Sequence, residues 1–252
     1  MKYAIFSRKQ DEITLGIIDE IKKNIKLEYD EANPDIVITV GGDGTIIRAV
    51  NKYINTVDKV IFFGVKTGHL GFYTNFTKDS IKELIDIVNN NKYEIETHSL
   101  LEWETNKYSG LAINEVTIIN PTSTQIVDVF IDNEKFETVR GTGLCISTPN
   151  GSTAFNKSLD GPVVDHSLEC IILNEIASIN SNAYRSLNSP LVLSTNHKLE
   201  LKFSNANFLT SDHLKFELDG IDYVKCVLSK KKVKFGKMDN TLFIDRIKKA
   251  FL

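Results

Sequence analysis

The chain has 252 residues, 42% hydrophobic and 25% charged, with a net charge of −3 at pH 7. That is ordinary for a soluble globular protein with one large or two smaller cores, and it gives no electrostatic case for binding nucleic acid or acidic lipid. No apolar run approaches the ~20 residues of a membrane span, and Met1-Lys2-Tyr3-Ala4-Ile5-Phe6-Ser7-Arg8 turns charged too early for a signal peptide, so the expected location is cytoplasmic and no membrane partner is expected.

Tyr3–Ser7 reads as a first strand, and Ile13, Ile17, Ile21 and Ile25 then recur at helical spacing, with Glu20, Lys22 and Lys23 facing solvent. Pro34 precedes Ile36-Val37-Ile38-Thr39-Val40, a buried β-branched strand, which runs into Gly41-Gly42-Asp43-Gly44-Thr45. The predicted helix after this turn starts at Thr45 and reaches about Tyr53. Strand, glycine turn and helix start together present backbone N–H groups and a dipole to a phosphate. Asp43 is out of place in a pure anion cradle. A carboxylate there costs energy unless it binds a metal or takes a proton from a substrate hydroxyl. The alternative, that Asp43 caps the following helix, accounts for the aspartate but not for the glycines on both sides.

Val60–Val65 is a further apolar strand, followed by the loop Lys66-Thr67-Gly68-His69-Leu70-Gly71-Phe72-Tyr73, which should face the same crevice as Asp43. Within it His69 reads equally as a functional group or as a locally satisfied loop residue. Ile81, Leu84, Ile85 and Val88 mark another helix. Alternating strands and helices predict a parallel, Rossmann-like sheet with ligand at the carboxyl ends of its strands. From residue 93 the text turns β-like: Tyr93–Asn106, Ala112–Asn120, Ile126–Ile131, Lys135–Val139, Gly143–Thr148, Lys198–Phe203 and Tyr223–Leu228, with a hairpin turn at Asp132-Asn133-Glu134. Strands in series without helices predict a sandwich. The expected division is 1–93 for the α/β domain, 94–236 for the all-β domain, and 237–252 for a tail whose helical spacing from Thr241 packs it back on the first domain. Lys230-Lys231-Lys232 reads as a solvated edge or turn. Cys145, Cys170 and Cys226 are odd in number and widely spaced, and the five histidines form no HExxH pair, so neither a disulfide framework nor a protein-built metal site is expected.

Two stretches of the second part carry chemistry. Asn114-Glu115 places an amide and a carboxylate inside the apolar run Leu111–Val116, which is costly without partners; a sugar or base edge, or an internal Asn–Glu pair serving a loop, would supply them. Pro149-Asn150-Gly151-Ser152-Thr153-Ala154-Phe155-Asn156-Lys157-Ser158 is a turn opening a short helix, offering N–H groups, hydroxyls and Lys157 to a polar ligand.

Gly41-Gly42-Asp43-Gly44-Thr45 resembles the GGDG signature shared by NAD kinases, diacylglycerol and sphingosine kinases, and 6-phosphofructokinases. With Asn114-Glu115, Arg140-Gly141-Thr142-Gly143, the Pro149–Ser158 segment and Glu175-Ile176-Ala177-Ser178-Ile179-Asn180, the chain closely resembles the bacterial NAD kinases over 35–73 and 111–193. The resemblance implies phosphorylation of the 2′-hydroxyl of the NAD adenosine ribose by ATP or polyphosphate, giving NADP, with magnesium entering on the nucleotide. It further implies that Asp43 is the general base and that Gly41, Gly42 and Gly44 face phosphates. Phe72 would lie over the dinucleotide, Asn114 and Glu115 would hold it, Thr153, Ala154, Phe155, Asn156, Lys157 and Ser158 would line the adenosine pocket, and Ala177 would touch a base. Arg140 and Thr142 belong to the same set, and a homo-oligomer (dimer or tetramer) with sites near subunit contacts is implied. The family usually has Asp where this chain has Thr142 and often Tyr where it has Phe155. An Asp-Gly-Gln-like element corresponds either to Asp212-His213 or to Asp219-Gly220, with spacing favouring the former. A GGDG-type lipid kinase and a non-catalytic NAD(P) sensor remain the alternatives, whereas a dehydrogenase is disfavoured because no G-x-G-x-x-G follows the first strand.

Overall fold

The computed structural model describes residues 1–68, 71–237 and 243–252, so His69, Leu70 and the predicted helix start at Thr241 lie outside the described residues. The chain forms two compact units, Met1–His98 with Lys232–Leu252, and Ser99–Lys231. These boundaries differ from the expected 93/94 and 236/237 because two long strands, rather than loops, carry the chain from one unit to the other.

In chain order the first unit holds β1 (Lys2–Ser7), α1 (Glu12–Asn24), β2 (Glu28–Tyr29), β3 (Ile36–Val40), α2 (Asp43–Lys52), β4 (Ile61–Lys66), β5 (Phe76–Thr77) and α3 (Ile81–Asn89). Strand β6 (Glu94–Glu104) leads out of it. Strands β2, β1, β3 and β4 pair in that order, all parallel. On its other side β4 pairs, also parallel, with β5 through Val65 and Lys66, and at Ile61 and Phe62 with Lys234 and Phe235, respectively, of a strand that returns from far along the chain. Pleat alternation sends Ile36, Ile38, Val40, Phe63 and Val65 to one face, where Ile17 and Ile21 of α1 and Leu84 and Val88 of α3 close a core. The other face receives α2. A Cβ at Gly64 would stand 2.5 Å from Ile46 Cδ1, so only glycine lets that helix approach so closely.

The second unit continues with β7 (Ser109–Ala112), β8 (Glu115–Ile119), β9 (Gln125–Ile131), β10 (Glu134–Gly141), β11 (Gly143–Ser147), α4 (Phe155–Ser158), β12 (Cys170–Ile176), β13 (Leu191–Ser194), β14 (Leu199–Phe203), β15 (Phe208–Ser211), β16 (Leu214–Glu217) and β17 (Tyr223–Lys237). One sheet runs β13-β12-β11-β8-β15-β16; facing it are β10, β9, β14 and the start of β17, with the end of β6 paired to β7. Val116, Ile118, Leu144, Ile146 and Leu173 from the first sheet meet Leu101, Val127, Val129, Leu201 and Val224 from the second in one sandwich core. Asp132 (φ 52°) and Asn133 (φ 70°) are both left-handed, the two-residue turn whose twist matches its flanking strands. Lys230–Lys232 do not make a turn. They lie within β17, which runs on into the first unit and ends in Phe235-Gly236-Lys237. The final helix, α5 (Phe243–Phe251), belongs to the first unit.

Candidate active site

In the first unit the glycine turn is built as its sequence demands. Gly41 has φ 152°, and a Cβ there would sit 2.3 Å from Thr45 Oγ1. Nothing stands within 4 Å of where a Cβ would project at Gly42 or Gly44, which leaves their backbone open to a ligand, whereas Gly41, expected to face a phosphate with them, is buried and gives its N–H to Val65 O at 2.9 Å, so it shapes the turn instead. Helix α2 starts two residues earlier than predicted because Gly42 caps it, its carbonyl accepting from Thr45 N at 2.8 Å. Asp43 is therefore not the cap.

The Asp43 carboxylate instead reaches across to the loop after β4. Phe72 N donates to Oδ2 at 2.7 Å and Tyr73 N donates to Oδ1 at 3.0 Å. Gly71 permits this, since a Cβ on it would be 2.2 Å from Asp43 Oδ1. Burial pushes the Asp43 carboxyl above the usual range, while the two N–H donors and the Arg246 guanidinium oppose that rise. A carboxylate held in one orientation, with its basicity raised by partial burial, suits proton abstraction from a hydroxyl. The Phe72 ring packs 5.7 Å from that of Phe251 on α5.

In the second unit, Asn114 and Glu115 are both buried at the start of β8. The turn that carries them is fastened from two sides. The Asp212 carboxylate, on a residue with φ 49°, accepts from Ile113 N at 3.0 Å, Asn114 N at 2.8 Å and Glu115 N at 3.4 Å. Thr148 Oγ1 donates to Ile113 O at 2.6 Å, and Thr148 N donates to Asn114 O at 2.9 Å. Gly151 lies against the same backbone, where a Cβ would stand 2.2 Å from Asn114 O. The Asn-Glu pair and the Pro149–Ser158 segment are thus one structure. Of the two candidates for the Asp-Gly-Gln-like element, Asp212 is the one at the pair, whereas Asp219 offers its carbonyl to Lys107.

Glu115 Oε2 is buried with no hydrogen-bond partner among the described residues. Burial first, and then the Asp212 charge, push the Glu115 carboxyl up to about 8 against a backbone hydrogen bond from Phe155. The Phe155 ring is exposed, Lys157 and Ser158 are exposed, and Thr153 and Ala154 are partly so. Asn156 is not available to a ligand. It is fully buried, donates to Pro162 O at 3.3 Å and faces Asn174, so it shapes the turn from within.

Arg140, Thr142 and Ala177 lie elsewhere. Gly143 pairs with Ile119 and Ile176, whereas Ser147 at the other end of β11 pairs with Glu115 and Ile172. A strand of that length spans roughly 13 Å, so this chain does not itself bring Thr142 and Ala177 to Asn114 and Phe155. Ala177 is exposed with φ 47°, and its carbonyl stands where a Cβ on Gly141 would project, at 2.8 Å. Arg140 stacks over Tyr184, 4.2 Å from the ring centroid. Among the described residues no three His, Cys, Asp or Glu side chains form a metal-holding group.

Family models for the ATP-NAD kinase N-terminal domain and the ATP-NAD kinase C-terminal domain match residues 6–93 and 113–238. The chain belongs to the NAD kinase family. It is 38% identical to the NAD kinase of Geobacillus stearothermophilus over 261 residues, covering 99% of this chain and 96% of that one. It is 37% identical to NAD kinase 1 of Bacillus subtilis strain 168 over 263 residues, covering 100% and 98%. Two solved NAD kinase-type structures share its fold. A yeast NADH kinase complexed with NADH has a TM-score of 0.84 at 19% identity, covering 98% of this chain and 86% of that one. An NAD kinase from Archaeoglobus fulgidus in complex with ATP has a TM-score of 0.80 at 24% identity, covering 99% and 100%.

Proposed function

We propose that this chain transfers the terminal phosphoryl group of ATP or polyphosphate to the 2′-hydroxyl of the NAD adenosine ribose. The observation that carries the reading is Asp43, with each carboxylate oxygen held by a backbone N–H at the end of β3 beside open glycine backbone. Asp43 accepts the proton of the ribose hydroxyl as its oxygen attacks, and the exposed backbone of Gly42 and Gly44 faces the donor's phosphates. Phosphoryl transfer asks the protein mainly for position and charge neutralisation. Magnesium fits this design as a companion of the nucleotide, since it keeps several waters and binds chiefly through phosphate oxygens.

Asn114, Glu115 and the exposed Phe155 ring are the assigned adenosine contacts, with Thr153, Ala154, Lys157 and Ser158 along the same turn. A Glu115 carboxyl that keeps its proton near neutrality donates a hydrogen bond as well as accepting one, which suits a ribose hydroxyl. The separation of Thr142 and Ala177 from this group supports a homo-oligomer in which a second copy brings them to the ligand. The assigned location is cytoplasmic, supported by the absence of a membrane-length apolar helix among the described residues. The test is incubation of purified protein with NAD, ATP and magnesium, followed by an NADP-specific readout. Accumulation of NADP is expected; binding of NAD without turnover would instead make the chain a sensor, with Thr142 as the departure that marks it.

A further inference from the structure

The tail helix α5 carries a buried arginine in the middle of its apolar side. Arg246 is 7% exposed, while Lys248 and Lys249 on the same helix are exposed. Burying a guanidinium is costly unless its donors are used. They are used in one place: Nη1 donates to the Phe72 carbonyl and Nη2 to Asn75 Oδ1. Asn75 in turn donates to Gly236 O at 3.4 Å. The residue whose carbonyl is held by Arg246 is the one whose N–H holds Asp43 Oδ2, and the next N–H holds Oδ1. Phe251, one turn further along α5, packs on the Phe72 ring.

We propose that Arg246 is a positioning residue for phosphoryl transfer, fixing the Phe72–Tyr73 segment so that its two N–H groups hold the Asp43 carboxylate in its reacting orientation. The proposal rests on the reading of Asp43 as the base. It makes the segment after the sandwich part of the catalytic apparatus, although none of its described residues belongs to a phosphate- or NAD-binding motif. The charges around this arrangement are few. Asp43 feels the Arg246 charge and the two N–H dipoles, and Arg246 faces Asp43, Glu96 and Tyr73. Glu96 is itself 3.6 Å from His98 and 3.8 Å from Lys237. Arg246 therefore also helps keep a partly buried Asp43 ionised. A plain structural anchor would not do so.

Arg246→Met keeps the length of the aliphatic stem and removes the charge and donors. The expected result is a kcat lower by about 10²-fold, as for a misplacement of ~1 Å, with KM for NAD little changed. Removing the cation leaves the Asp43 carboxyl higher, so a base that must be ionised works only at higher pH, and the acidic limb of kcat/KM moves upward. Arg246→Lys keeps the charge but cannot hold both acceptors, so the limb should stay in place while kcat falls part of the way. A folded Arg246→Met protein with wild-type kcat, or one whose kcat falls with the limb unmoved, overturns the proposal. Should Arg246→Met not fold, Arg246→Lys carries the test, and an unchanged kcat in it overturns the proposal. Asp43→Asn run in parallel separates the two readings: if that variant still turns over, the base assignment fails; if it is inactive while Arg246→Met is normal, only the role of Arg246 fails.

Discussion

Replacing Gly71 with alanine should disable the transfer step with little effect on dinucleotide binding. The new methyl carbon would stand 2.2 Å from Asp43 Oδ1 and 2.7 Å from Cγ, where ordinary contact needs 3.4–4 Å. Either the carboxylate or the loop must retreat by about 1 Å, and both bonds, now 2.7 and 3.0 Å, then pass beyond hydrogen-bonding range. A reacting group displaced that far costs about 10²-fold in rate. The loss should fall on kcat, because the Asn114-Glu115 turn lies in the other unit and keeps its own fastening. Steady-state kinetics with an NADP-specific readout, together with calorimetry for NAD, distinguish the two effects. A Gly71→Ala enzyme within a few-fold of wild-type kcat would show that the N–H pair on Asp43 is dispensable. One that loses NAD binding and kcat together would show that the loop serves the dinucleotide rather than the base.

Asp43→Asn should keep the fold and much of NAD binding while kcat drops by about 10²–10⁴-fold, measured in the same assay; near-wild-type turnover would remove the carboxylate from the chemistry. Phe155→Tyr should be tolerated, because the ring is exposed, and should tighten NAD binding by at most about tenfold through one added donor of about 0.5–1.5 kcal/mol, read by calorimetry. Glu115→Gln should show the sign of the raised carboxyl. A folded-state value of about 8 against an ordinary 4.5 means that the native protein holds the extra proton between those limits. Its stability therefore falls as pH rises through that window, and the penalty is complete above it. The variant should melt at or below wild type at pH 5 and several degrees above it at pH 8, at about 2–4 °C per kcal/mol, in ligand-free thermal scans.

The local patterns of the first unit were readable, because a continuous apolar strand, a glycine turn and a helical stripe each leave a signature within a dozen residues. The contacts that give Asp43 its meaning were not, since its partners at Phe72 and Tyr73 are 29 and 30 residues away and are backbone groups of unremarkable residues. In the sandwich, β12, β13, β15 and β16 left weak marks. Cys170–Ile176 is buried almost throughout and so lacks alternation, and β15 and β16 have four residues each. Charged Lys230–Lys232 concealed the continuation of β17. Asp212 was legible only as a motif fragment, for nothing in its own neighbourhood announces a carboxylate that gathers three N–H groups 97 to 99 residues distant. Arg246 did leave a signal, a charge at i+3 from Phe243 on the side of the helix that also bears Ile247. Asn156 shows the converse: it sits in the ligand-facing segment by sequence yet is turned inward by the turn it helps to make.

The first unit is assembled from residues on both sides of the second, and this bears on how the molecule comes into being. During synthesis, residues 1–98 emerge with the Ile61–Phe62 part of one β4 edge unfilled and with Asp43's supporting loop unpinned, for Lys234, Phe235 and Arg246 are made only after the 133 residues of Ser99–Lys231. The sandwich, contiguous in the chain, can close on its own as it appears, whereas the older unit must wait across a long loop closure. An open parallel edge is a site for wrong pairing in the interval. Completion of the first unit thus falls in a late event, and on the proposed role of Asp43 a chain cut short of Arg246 should make its sandwich yet give no NADP.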